Sequence, residues 1–143
     1  IPTERKAYIS PSDTEKVLAA CDPTWRIIIA LARYAGLRCP SEVLSVKWSD
    51  VNFETERMTV PSCKTEHIAG KAYRVVPIFA ALKPYLSEAF ELADAGAEFV
   101  VPGNHREAAN KPGGWMNCNL RTQFLKIIKR AGLQPWPRLF HNL

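Results

Sequence analysis

The chain lacks the residue arrangements that bind metal ions or form a disulfide framework. It has four cysteines, none in a CxxC pair or at metal-ligand spacing, and it has no cluster of carboxylates. These absences disfavour a zinc site, a disulfide-rich secreted fold and a metal-dependent nuclease, so we expect no cofactor and no metal. The thiols are better explained as reduced, buried side chains of an intracellular protein. The cysteines are Cys21, Cys39, Cys63 and Cys118.

Long uninterrupted apolar runs are missing as well. The most apolar stretch, residues 25–35, contains Arg26 and Arg33 and is too short and too charged to span a bilayer. No signal peptide, internal repeat or low-complexity tract is visible in the sequence. We therefore expect a cytoplasmic protein with no membrane partner.

The chain does contain enough apolar sequence for one folded domain. Of its 143 residues, 47% are hydrophobic and 23% are charged, as in ordinary globular proteins. The formal net charge is +5 and the isoelectric point is about 9.2. This modest excess suits a polyanionic partner such as DNA, although many basic proteins bind no nucleic acid.

The spacing of apolar and turn-forming residues predicts a mainly helical α+β domain. Ser12 or Asp13 can cap the first helix. Further along, alternating apolar residues predict a hairpin that turns at 54–57 and a third strand over 73–78, ending near Pro77. These strands form a small three-stranded antiparallel sheet beside the helices. The predicted helices cover about 13–21, 23–35, 40–46, 79–95 and 120–131, with a short extended segment at 98–101.

Arg38 is distinguished by the residues on either side of it. Gly36 ends the long helix, and Pro40 is placed to begin a second helix that carries Glu42, so the arginine lies at a tight junction between two packed helices. A charge needed only for solubility would not require so rigid a position. The residues alone leave two explanations open, a structural arginine paired with Glu42 or Asp50, or a guanidinium that binds an anion.

Three segments, in order along the chain, resemble the tyrosine recombinases of the phage integrase family. Residues 36–51, which begin with Gly-Leu-Arg and contain Trp48, resemble the family's first arginine box. Residues 63–78, from Cys-Lys-Thr to Tyr-Arg-Val-Val-Pro-Ile, resemble its β-hairpin lysine segment, and residues 139–143 resemble the start of its His-x-x-Arg box. One segment alone would be weak, but three in order are fairly specific.

The resemblance implies a reaction and assigns roles to four residues. In this family a tyrosine hydroxyl attacks a DNA phosphodiester, forms a 3′-phosphotyrosyl link and releases a 5′-hydroxyl, without metal or ATP. Arg38 would bind the phosphate, Lys64 would protonate the departing oxygen, and His141 would accept a proton or bind the phosphate. Most of the family has an acidic residue three positions after the arginine. Here that position is Ser41, and Glu42, one later, is assigned as a supporting residue.

Other basic residues are candidates for contacts with the DNA backbone. Lys71 is also a rival for the role of Lys64, and for the basic end of the last helix a solvated face is the alternative. The candidates are Lys71, Arg74, Arg106, Lys126 and Lys129.

The resemblance also implies that essential parts of the enzyme are missing from this chain. The second arginine would follow Leu143, the nucleophilic tyrosine would come later still, and all four tyrosines present precede His141. We therefore expect residues 11–143 to be a partial catalytic domain, inactive alone, with 1–10 as a linker from an upstream DNA-binding domain. The parent would be an integrase-type recombinase of a mobile genetic element, associated with the nucleoid and self-associating on double-stranded DNA. The alternative is a non-catalytic DNA-binding or interaction module of the same fold.

Overall fold

A computed structural model describes residues 9–39, 42–61, 73–102 and 120–135 of the chain. Within these residues the protein is mainly helical with a small sheet, which is the α+β class predicted from the sequence. The helices are α1 (Pro11–Ala20), α2 (Pro23–Tyr34), α3 (Lys83–Leu92) and α4 (Leu120–Arg130). The strands are β1 (Val51–Asn52), β2 (Arg57–Pro61) and β3 (Tyr73–Pro77), antiparallel and in the order β1-β2-β3.

The first two helices begin at side chains that cap them. Ser10 Oγ accepts a hydrogen bond from the main-chain N–H of Asp13 at 3.0 Å, and Asp22 Oδ1 accepts one from the N–H of Trp25 at 2.8 Å. A proline follows each cap, and its fixed φ suits the first helical position. The prediction that Ser12 or Asp13 caps the first helix was wrong, because the proline at position 11 lets the helix begin earlier.

Helix α2 forms the centre of the core. Every residue from Ile27 to Ala32 is buried, and α1 and α3 pack against this helix. Helix α4 packs on α1, and it reaches α2 at Trp25, whose ring lies 5.9 Å from that of Phe124. The indole Nε1 of Trp25 also donates a hydrogen bond to Gln123 Oε1 at 3.0 Å. Burying one large aliphatic side chain stabilises a protein by roughly 1.5–3 kcal/mol, so α2 contributes much of the stability of this fold.

The sheet presents one face to the core. Met58 lies directly opposite Val76, and both side chains are buried. Strand β3 is an edge strand, and Pro77 ends it, as predicted. The turn between β1 and β2 places Glu56 at φ +55°, and the carbonyl of Glu56 accepts a hydrogen bond from the N–H of Ile78 at 2.8 Å. The turn is thereby tied to the end of the third strand.

The helix predicted after Pro40 is present in the described residues only as one 3-10 turn, Val43–Ser45. The chain then extends at Val46, because this segment pairs with the one around Phe99. The N–H of Val100 donates to the carbonyl of Val46 at 3.0 Å. The segment predicted to be extended at 98–101 forms this bridge at Phe99 and bends at 100–101, and the pairing explains why helical propensity did not decide the structure here.

Helix α3 is shorter than the 79–95 predicted. Residues 79–82 form a turn in which the N–H of Leu82 donates to the carbonyl of Phe79 at 2.9 Å, and the helix begins at Lys83, with Pro84 in its first turn as expected. It ends at Leu92, before Gly96, which has φ +81°. Across the part of the chain described here, no helix has both the length and the apolar character needed to cross a membrane.

Candidate functional site

The turn after α2, residues 36–39, holds Arg38 by its main chain and leaves its side chain exposed; we call it the Arg38 turn. Gly36 at φ +68° reverses the chain, and the N–H of the buried Leu37 donates to the carbonyl of Leu31 at 3.3 Å. The carbonyl of Arg38 then accepts hydrogen bonds from the N–H groups of Glu42, at 2.9 Å, and Val43, at 3.0 Å. The main chain of Arg38 is therefore held in place, as the sequence predicted. The turn joins a helix to a 3-10 turn, however, and not to a second helix.

Glu42 lies beneath this turn with its carboxylate buried. Only 3% of its side chain is exposed. Oxygen Oε1 accepts a hydrogen bond from the main-chain N–H of Arg38 at 2.8 Å and another from Nη2 of Arg74 at 2.9 Å. A buried carboxylate is stable only when it is paired and hydrogen-bonded, and both conditions are met here.

Arg74 reaches this carboxylate from strand β3. Its side chain is 43% exposed, and its Nη2 also lies 3.5 Å from the carbonyl oxygen of Gly36. One of the two explanations that the sequence left open was that Glu42 or Asp50 pairs with the guanidinium of Arg38. The structure shows a different arrangement, because Glu42 binds the main chain of Arg38 and forms its ion pair with Arg74.

The guanidinium of Arg38 takes no part in the hydrogen bonds between described residues. Arg38 is exposed, and its main-chain N–H binds the carboxylate of the Glu42–Arg74 pair. Guanidinium groups present planar, paired donors that match the oxygens of a phosphate, and Arg38 is held in place without using them. The arrangement can therefore bind an anion without first breaking an ion pair between Arg38 and another of the residues that the structure describes.

The remaining predicted site residues divide into two groups. Lys126 and Lys129 are exposed on α4, whose other side packs into the core through Phe124 and Ile128. The structure does not bring these two lysines into contact with the Arg38 turn. The other four lie outside the described residues, namely Lys64, Lys71, Arg106 and His141.

Tyr34 does not have the environment of an activated nucleophile. Burial raises the pKa of Tyr34, and the neighbouring Tyr85, whose ring stacks on it at 6.0 Å, raises it further. An attacking tyrosine needs a lowered pKa or an adjacent base. Within the described ranges there is also no group of three or more histidine, cysteine or acidic side chains that could hold a metal ion.

Comparison with known proteins shows which family and which solved structures the chain is similar to. A family model described as the phage integrase family matches residues 7–143. Among solved structures, the chain is similar to XerA recombinase, with a TM-score of 0.70 and 20% identity over 99% of this chain and 48% of that one. It is also similar to a lambda integrase (75–356) dimer bound to a COC′ core site, with a TM-score of 0.65 and 18% identity over 96% of this chain and 49% of that one.

The extent of these matches differs. No curated protein matches the chain, and the chain spans about half the length of the two recombinase structures. The structural likeness establishes a shared fold, while the family model covers nearly the whole sequence. The chain therefore belongs to the phage integrase family, and the resemblance first seen at Arg38 reflects membership of the tyrosine recombinases.

Proposed function

We propose that this chain is part of the catalytic domain of a site-specific DNA recombinase, which cleaves and rejoins DNA through a 3′-phosphotyrosyl intermediate. The observation that carries the proposal is the Arg38 turn, in a chain of this family. Its main chain is held by hydrogen bonds on both sides of the arginine, while the guanidinium remains exposed beside a buried carboxylate. Because the main chain of Arg38 is already fixed, only its side chain has to be ordered when it binds a phosphate.

The proposed roles follow the needs of phosphoryl transfer. Arg38 binds the nonbridging oxygens of the scissile phosphate, where negative charge builds up during attack. Lys64 protonates the departing 5′-oxygen, and His141 accepts a proton or binds the phosphate. Glu42 supports Arg38 through its main chain, as the 2.8 Å hydrogen bond indicates.

The nucleophile and the second arginine are proposed to lie outside this chain. The chain spans about half of each similar recombinase structure, and the raised pKa of Tyr34 speaks against a nucleophile at that position. On this proposal the 143 residues are inactive alone, and residues 1–10 connect them to a separate DNA-binding domain. The full protein would act on double-stranded DNA in the cytoplasm, at the nucleoid, as the integrase of a mobile element, and would self-associate on its target.

The remaining cations are proposed to contact the DNA backbone. Lys126 and Lys129 are exposed on α4, and their charges lie outside the ion pairs formed among described residues. Lys71 and Arg106 are assigned the same role from the sequence alone. Such contacts position a duplex without reading its sequence, so they leave the target site undetermined.

Covalent adduct formation by the full-length protein tests the proposal. A duplex target is selected from a random pool and nicked so that cleavage traps the phosphotyrosyl link. We expect the wild type to form the adduct, with the DNA-linked tyrosine mapping beyond Leu143 by mass spectrometry. Arg38→Ala should lower the rate of adduct formation by about a thousandfold or more, because it removes a donor to the transition state, while duplex binding changes little.

The matched control is Arg57→Ala, which removes another exposed arginine whose hydrogen bonds are to neighbouring carbonyls. It should leave adduct formation unchanged. Persistent cleavage by Arg38→Ala would show that the site is assigned wrongly. A wild-type protein that binds duplexes but never forms an adduct would instead be a non-catalytic DNA-binding module of the same fold.

A further inference from the structure

One carboxylate oxygen connects two arginines that are far apart in the sequence. Glu42 Oε1 accepts from the main-chain N–H of Arg38 at 2.8 Å and from Nη2 of Arg74 at 2.9 Å. The carboxylate is buried, whereas the guanidinium of Arg74 is partly exposed. Among the described residues, the ion pair with Arg74 is the one that balances the charge of Glu42.

Loss of this ion pair would disturb the main chain of Arg38. A buried carboxylate that loses its cation either rotates toward water or draws in another partner, since an unpaired buried charge is costly. Either movement displaces Oε1, which is the acceptor for the N–H of Arg38. Arg74 thus fixes the carboxylate, and the carboxylate fixes the main chain of Arg38.

The position of Arg74 in the sheet explains how it reaches Glu42. Arg74 lies directly opposite Val60, and residues opposite each other in an antiparallel pair share a face. Because Val60 is buried, this face is the one directed at the core. Near the start of β3 the long arginine side chain crosses from this face to the Arg38 turn, where Nη2 also approaches the carbonyl of Gly36 at 3.5 Å.

We propose that Arg74 is a positioning residue for Arg38 and that it supplies a second guanidinium to the phosphate-binding surface. This inference rests on the proposed function. The hydrogen bonds of Arg74 to described residues come from Nη2, and a guanidinium carries five N–H donors in a planar fork. Nη2 binds the carboxylate while the other donors serve a DNA phosphate, a division of contacts that a lysine ammonium cannot reproduce.

The experiment uses the full-length protein with the variants Arg74→Ala, Arg74→Lys and Glu42→Gln. The first readout is hydrogen exchange of the Arg38 amide by NMR, which reports the hydrogen bond to Glu42 without any need for catalysis. The second is the rate of adduct formation at saturating duplex. The third is the affinity for a labelled mixed-sequence duplex at several salt concentrations. Arg57→Ala is again the control, because Arg57 lies opposite Pro77 at the other end of the β2–β3 pair.

We expect Arg74→Ala to speed exchange of the Arg38 amide and to slow adduct formation by about tenfold or more, even at saturating duplex. Arg74→Lys should slow adduct formation nearly as much, because it keeps the charge but loses the fork. The double variant Arg74→Ala, Glu42→Gln should be no slower than the slower single variant, since both changes break one linkage. The slope of log affinity against log salt should fall by about 0.9 for Arg74→Ala, corresponding to one phosphate contact. Arg57→Ala should leave both rates unchanged.

Opposite results would overturn the inference in identifiable ways. If Arg74→Ala matches Arg57→Ala in amide exchange and adduct rate, Arg74 does not position Arg38. Rate losses that multiply in the double variant would show that the two residues act independently, and an unchanged salt slope would remove the phosphate contact. If circular dichroism shows that Arg74→Ala does not fold, the variants Arg74→Lys and Glu42→Gln decide whether Arg74 positions Arg38. If the proposed function is wrong, the wild-type protein forms no adduct at all. The hydrogen-exchange experiment still tests whether Arg74 positions Arg38 in that case.

Discussion

At Cys21, burial changes the chemistry of a thiol. Its pKa is raised from an ordinary 9.0 to about 12, first by burial and second by the nearby carboxylate of Asp22, and its Sγ donates to the carbonyl of Val17 at 3.0 Å. The thiolate is the reactive form, so this cysteine should be inert in the folded protein. We expect iodoacetamide at pH 9 to modify Cys21 slowly in the native protein and rapidly in urea, as followed by mass spectrometry of its peptide.

The same shift makes stability depend on pH. Between pH 9 and about 12 the unfolded chain has lost the proton of Cys21 while the folded chain retains it, so the free energy of unfolding falls as pH rises through this window. Below pH 9 the contribution is complete. The variant Cys21→Ala should weaken this dependence. Rapid native modification at pH 9, or the same alkaline loss of stability in Cys21→Ala, would contradict this account.

A functional residue could be predicted from the sequence when the residues next to it in the chain gave a clear local signal. Arg38 could be identified because Gly36 and the proline after it set the ends of a turn, and those signals are local. The Glu42–Arg74 ion pair could not be identified in this way. It joins residues 32 positions apart, and it depends on the register of β3 against β2, which no local pattern specifies. The roles of Lys64 and His141, which lie outside the described residues, stay predictions.

At the scale of elements, Arg26 connects three helices. Its Nε donates to the carbonyl of Leu18 at 3.3 Å and its Nη2 to that of Cys21 at 3.2 Å, at the C-terminal end of α1. Its Nη1 contacts both carboxylate oxygens of Glu88 on α3, at 2.9 and 2.7 Å. The carbonyl of Leu18 also accepts the N–H of Cys21 at 3.3 Å, and the carbonyl of Cys21 lies just beyond the last turn of α1, where helical partners run out. The guanidinium therefore satisfies the end of one helix while it is anchored to another.

Arg26→Ala should destabilise the protein by about 1–3 kcal/mol, because it removes the hydrogen bonds of the guanidinium to the end of α1 and to Glu88 in a half-buried position. Glu88→Gln should cost less, about 1 kcal/mol or below, since that ion pair is partly exposed to solvent. Thermal unfolding of the full-length protein measures both. The matched control is Lys16→Ala, which removes an exposed cation 3.9 Å from Asp13 and should change little. Equal effects of Arg26→Ala and Lys16→Ala would show that the three-helix connection contributes nothing.

Elements were predictable from the sequence where local signals agreed with the tertiary structure. Helix α2 has proline at its start, glycine beyond its end and a nearly continuous apolar sequence, and it was predicted almost to the residue. The segment around Val46 was predicted to be helical and is extended. Its pairing with the chain near Phe99 is a long-range contact that overrides weak helical propensity. Trp48, in the segment that resembles the first arginine box, is partly buried, and its ring lies 5.3 Å from that of Phe90.

At the scale of the whole molecule, one hydrophobic cluster joins every layer of the described structure. It contains buried side chains from α1, α2, the sheet, α3 and α4, without a break between the helical part and the sheet. The Arg38 turn is built on this cluster, since Leu37 on one side of Arg38 and Val43 on the other both belong to it. The position of the candidate site therefore depends on the packing of the whole core.

Ile28→Ala tests whether this core behaves as one cooperative unit. Ile28 is fully buried at the centre of α2, so the cavity should destabilise the fold by about 2–5 kcal/mol. Because the cluster is continuous, amides of β2 and α4 should lose hydrogen-exchange protection by the same free energy as those of α2, in the full-length protein. Val75→Ala, at a strand position 65% exposed, is the control and should leave protection nearly unchanged. Protection lost in α2 alone would mean that the sheet, and with it Arg74, is stabilised independently of the helices that hold Arg38.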